Sequence, residues 1–143
     1  MTKTSVIFIK TAFIYFLLAH FLGAILLINK AFNFNSKIWF LLPLHINIVF
    51  LGWFIQFIFG VAFWILPRYP SYEKDKTILI SYFLINFSIF ILFLKTSFII
   101  IEFEKKFTDL MQLSSLIILF FGIILFVKHI RKRISLDFLL KKI

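Results

Sequence analysis

The chain's 143 residues suffice for one domain, but 62% are hydrophobic and only 15% charged, where a soluble domain carries roughly 25% charged. With 23 Phe against 4 Gly and 3 Pro, so much apolar surface needs a bilayer to cover it, and an integral membrane protein is expected. No Cys is present, which excludes disulfides, thiolate catalysis, Cys-ligated zinc and covalent haem attachment. The net charge of +10 lies between and after apolar runs, a pattern of membrane topology and not of nucleic-acid binding.

Four apolar runs reach the about 20 residues that a transmembrane helix needs. They cover roughly residues 7–28, 39–66, 77–101 and 110–127, the second stopping at Pro67, Arg68 and Pro70. The first run is too long, and lacks the small-residue cleavage site, for a removed signal peptide. No soluble domain, low-complexity segment or clear internal repeat interrupts the pattern. The expected fold class is therefore all-α integral membrane: one domain of four transmembrane helices in an antiparallel bundle.

Lys and Arg in the short flanks set the orientation. Lys3 and Lys10, then Arg68, Lys74 and Lys76, then the tail Lys128, Arg131, Lys132, Arg133, Lys141 and Lys142 fall on one side. That side is expected to be cytoplasmic, with both termini inside. The opposite loops hold Lys30 and Lys37, and a second stretch in which Lys95, Lys105 and Lys106 are offset by Glu102, Glu104 and Asp109.

Polar residues within spans are costly and therefore informative. They are His20, His45, Asn47, Gln56, Asn86 and Lys95. No Asp or Glu enters the first two spans, which weighs against a proton pump, and no hydrolase or zinc spacing is present. At 3.6 residues per turn, His45, Gly52, Gln56 and Gly60 share one broad stripe. The glycines alone read as a helix-packing seam. A histidine at the head of the stripe turns the reading toward a groove for a flat tetrapyrrole. His20, followed by Gly23 and Ala24, is expected at a depth similar to His45 on the neighbouring helix. It is a second ligand, or makes an interhelical hydrogen bond to a backbone carbonyl or Asn86, or serves as the hydrogen-bonding partner that orients His45. His129 is expected to be a solvated member of the basic tail.

The string HINIVFLGWFIQFIFGVAFWILPR resembles the second transmembrane helix of heme-copper oxidase catalytic subunits, especially the nitric-oxide-reductase and cbb3-type branches. The matching positions are His45, Asn47, Trp53, Gly60, Phe63-Trp64 and Pro67. The resemblance implies that His45 is an axial ligand of a low-spin haem near the outer face. It gives no counterpart for His20. The family joins three sets of four helices and adds histidines for copper and a second haem. This chain has one set and no such cluster, which argues against oxygen or nitric oxide reduction by the chain alone.

The expectation that follows is a haem b-binding membrane protein passing electrons within a respiratory, oxidase-like assembly of the bacterial inner membrane. His45 is the iron ligand, with Asn47, Gly52, Gln56 and Gly60 beside the ring and Lys30 and Lys37 near the propionates. Bis-His ligation then comes from His20 of the same chain or from His45 of a second chain in a homodimer. The alternative is an accessory or assembly subunit of a respiratory membrane complex that keeps the fold and binds no cofactor.

Overall fold

The computed structural model describes residues 3–66 and 76–140, and side chains up to residue 135. The described residues form helices joined by short turns, without strands. Helix α1 (Lys3–Phe32) comes first, and the second span is composite. It opens with a 3₁₀ turn (Ser36–Leu41), continues as α2 (Leu42–Asn47), widens into a π-helical segment (Ile48–Ile55) and closes as α3 (Gln56–Ile65). Helices α4 (Thr77–Ile100) and α5 (Lys105–Leu140) complete the fold. Pro67, Arg68, Pro70 and Lys74, expected to end the second span and mark its loop, lie outside the described residues.

Each span is long and apolar enough to cross a membrane, which points to a multi-pass membrane protein. The outward residues agree: Ile14, Leu17, Phe21, Ile65 and Phe120 are all more than 60% exposed, an arrangement that lipid covers and water does not. Helix α5 runs well past the expected 110–127 at both ends. Hydropathy falls at Lys128 to Arg133, but Lys and Arg are good helix formers, so the backbone continues.

The turns use local polar chemistry. Asn33 adopts φ 50°, a left-handed position that Asn tolerates better than most residues. Asn29 Oδ1 accepts from the Asn35 amide at 3.0 Å, and Asn35 Oδ1 from the Lys37 amide at 2.9 Å. Helix α4 ends in a Schellman arrangement: Phe103 N–H donates to the Phe98 carbonyl and Glu102 N–H to that of Ile99. Glu102 takes the left-handed place, at φ 61°, and the Phe98 and Phe103 rings close the motif with centroids 5.2 Å apart.

Packing follows two principal pairings, α1 with the second span and α4 with α5. One core cluster unites Ala19, Leu22, Leu44, Ile48, Ile85, Ile89, Leu92 and Leu119. A second, nearer Ser5, unites Phe8, Phe63, Ile78 and Phe126. Both clusters draw on all four spans.

The π segment has a packing consequence. Leu44, Ile48, Gly52, Gln56 and Gly60 are all buried, a strict four-residue series. In an α-helix each four-residue step overshoots a full turn by about 40°, so the series would wind away from its partner. Hydrogen bonding from i to i+5 widens the turn and counters that drift. The buried line therefore stays on the inner side of the second span over four steps.

Candidate functional site

His45 is half-buried where α2 meets α1. Its Nδ1 lies 3.0 Å from the Ala19 carbonyl. A carbonyl only accepts, so Nδ1 carries the proton of this bond and Nε2 is left free of it. The ring lies over Gly23: a Cβ there would meet Cε1 at 3.1 Å and Nε2 at 3.7 Å. Gly23 thus makes room for His45, and the expectation that it keeps a small face for His20 is corrected.

His20 follows Ala19 in the chain and so shares His45's level along α1, as expected, but not its direction. It is exposed on the outside of the helix, with Nδ1 2.8 Å from the Phe16 carbonyl of its own turn. Its ring lies 4.1 Å from that of Phe16, and Phe16 in turn meets Trp53 at 5.0 Å. It does not reach Asn86. The carbonyl that orients His45 belongs to Ala19, so His20 is not the orienting partner either.

The glycine stripe is buried but not open. A Cβ on Gly52 would lie 2.7 Å from Tyr15 Cγ, and one on Gly60 2.7 Å from Ile9 Cγ1 and 3.0 Å from Phe8 Cβ. The groove expected beneath His45 is therefore filled by α1, because small residues let helices approach until the neighbour's side chains occupy the notch. Asn47 turns back on its own helix, donating from Nδ2 to the Pro43 carbonyl at 2.8 Å. Lys37 forms an ion pair with Glu102 at 2.7 Å, joining the loops that follow α1 and α4. That pair holds the Glu102 carboxyl below its ordinary value of 4.5, through the hydrogen bond first and the charge second. Lys30 is exposed at the end of α1.

Gln56 belongs to a different constellation. Its Nε2 donates to Asn86 Oδ1 at 3.2 Å, and Tyr15 OH donates to the same oxygen at 3.0 Å. Asn86 Nδ2 donates to the Tyr82 carbonyl at 2.8 Å, and the Tyr82 and Thr11 hydroxyls meet at 2.7 Å. Five neutral polar side chains from three spans thus satisfy one another in the apolar interior. Sequence reasoning singled out Gln56 and Asn86 but missed Thr11, Tyr15 and Tyr82. The signal was available: Thr11 and Tyr15, and likewise Tyr82 and Asn86, are spaced i, i+4 and share a helix face.

His129 also departs from expectation. It is 1% exposed, inside the protein rather than in solvent, with its ring 5.7 Å from that of Phe63. One turn on, the buried Arg133 donates to the Phe63 and Leu66 carbonyls at 3.3 and 2.8 Å, and its guanidinium lies over the Phe63 ring. It satisfies the orphan carbonyls at the end of the second span. A basic run reads as a solvated face, but on a continuous helix every third or fourth member turns inward.

Bis-His haem held inside one chain does not fit these residues. His20 and His45 face different ways, the ring of His45 rests on α1, and α1 side chains fill the notches at Gly52 and Gly60. No family model, curated protein or solved structure matches the chain.

Proposed function

We propose that this chain is an accessory or assembly subunit of an oxidase-like respiratory membrane complex, and that its polar intramembrane residues serve helix packing instead of cofactor binding. The filled glycine notches carry this reading. The resemblance of residues 45–67 to an oxidase helix supports the assignment to a respiratory complex. The proposed arrangement is an antiparallel bundle in the bacterial inner membrane with both termini cytoplasmic. Its support is that positions on α1 descend as their partners on the second span rise, from Ala19 with His45 through Tyr15 with Gly52 to Ile9 with Gly60, together with the basic flanks.

One observation favours a second reading, in which His45 ligates haem b at a boundary with another chain, as in a homodimer or with a partner subunit. An Nδ1–H bonded to a carbonyl is how proteins orient an imidazole that ligates through Nε2. Haem would supply one-electron transfer when bound; this chain would hold the imidazole tautomer through Ala19.

A reduced-minus-oxidised spectrum with a pyridine haemochrome assay separates the two. Protein purified from haem-supplied cells should be colourless on its own and comigrate with a larger haem-bearing complex on a native gel. A b-type spectrum of the purified chain that vanishes in His45→Ala, with helicity retained, would overturn the accessory reading and establish the second.

A further inference from the structure

At the end of the molecule where Arg133 caps the second span, a groove of about 330 Å³ opens between α3 and α5. It is lined by Phe59, Phe126, Val127, Ile130, Arg131 and Ile134. Phe59 and Phe126 stack with ring centroids 3.6 Å apart and planes 4° from parallel, and this apolar pair closes the groove's inner side. Val127, Ile130, Arg131 and Ile134 follow at i, i+3, i+4 and i+7 along one face of α5. Beside that face run Lys128, Arg131 and Lys132, again at i, i+3 and i+4, all exposed. Among the described side chains none of these three makes an ion pair.

The hydrogen bonds of Arg133 to Phe63 and Leu66 put this basic stripe level with the end of the second span, and therefore with a bilayer boundary. Phe59 and Phe126 lie one to two turns deeper. The groove thus runs from an apolar interior to a cationic rim, the shape and charge order of a phospholipid. Basic pockets between transmembrane helices take anionic headgroups.

We propose that this groove is a binding site for an anionic phospholipid, with an acyl chain against Phe59, Phe126, Ile130 and Ile134 and the phosphate on Arg131, flanked by Lys128 and Lys132. The site is independent of whether His45 ligates haem.

Native mass spectrometry of the full chain, released from micelles doped with phosphatidylglycerol or phosphatidylcholine of identical acyl chains, tests it. Phosphatidylglycerol should be retained at least tenfold better. Arg131→Gln and Lys128→Gln should each weaken retention about fivefold, the factor expected per basic residue at a membrane surface. Ile130→Trp fills the groove and leaves every charge in place; it should also lose the lipid. Lys128 and Arg131 are exposed and Ile130 is half-buried, and circular dichroism checks that helicity persists. Equal retention of the two lipids, or undiminished retention in either glutamine variant, would overturn the site. Undiminished retention in Ile130→Trp, or full displacement by soluble glycerol phosphate, would overturn the acyl seat and leave only a headgroup contact.

Discussion

In the first helix pair, Ser5 donates to the Gly60 carbonyl at 2.8 Å while Phe8 and Ile9 fill that glycine's notch. In the second, Ser81 donates to the Gly122 carbonyl at 2.6 Å while Leu84 and Ile85 fill the notch. The offsets from each serine are the same, i+3 and i+4, so the two pairs repeat one device for close approach. The second arms differ. In the second pair it is the uninterrupted α5; in the first it changes from 3₁₀ to α to π and back to α, and holds His45, Gly52 and Gln56. Gly122 shows what such a glycine does with no ligand candidate above it. The use of Gly60 is the same: its notch takes the side chains of the neighbouring helix.

Substitution at the two glycines tests that equivalence most strongly. A Cβ on Gly60 would lie within 3.2 Å of the Ile9 amide nitrogen as well as the side chains, whereas its counterpart on Gly122 stays 3.1 Å or more from every neighbour. Gly60→Leu should destabilise by about 3 kcal/mol, the upper end for overpacking, and Gly60→Ala should cost more than Gly122→Ala. Unfolding in mixed micelles titrated with a denaturing detergent reads all three. Equal costs at the two alanine variants would show that the first pair is no tighter than the second.

Asn86 is one of the points where the pairs are joined, since it takes hydrogen bonds from both Tyr15 and Gln56 of the first pair. Asn86→Ala leaves both donors in an apolar interior and should cost about 1–2 kcal/mol. Tyr15→Phe, which removes one donor and leaves no orphan on itself, should cost less. If the alanine variant were no worse than Tyr15→Phe, the network would not couple the pairs.

The smallest expected effect lies in the loops. Lys37 depresses the Glu102 pKa, so their pair contributes stability above the unfolded value of 4.5 and loses it as pH falls through the lower folded value. Both groups are exposed and screened by salt. The expected drop in thermal midpoint on acidification is therefore slight, and it should disappear in Lys37→Ala. An unchanged drop in that variant would assign it to other carboxylates.

The four spans were legible in the amino-acid order because membrane insertion responds to hydropathy summed over some twenty residues, a quantity local to each run. The span ends were less so: helix formation continues through Lys128–Arg133 where hydropathy stops. The candidate residues were legible by type, since an imidazole or amide in an apolar run always needs a partner. Which partner each takes depends on rotation of the helices, and rotation is settled by contacts between distant segments. His20 and His45 have the same chemistry and depth, yet one turns outward to its own Phe16 carbonyl and the other inward to Ala19. The π segment swings the second span so that Gly52 meets Tyr15 and Gln56 meets Asn86, and no pattern within residues 48–55 announces it. Local order determined that the chain is helical, apolar and polar at a few costly points; packing among the four spans decided which of those points face one another.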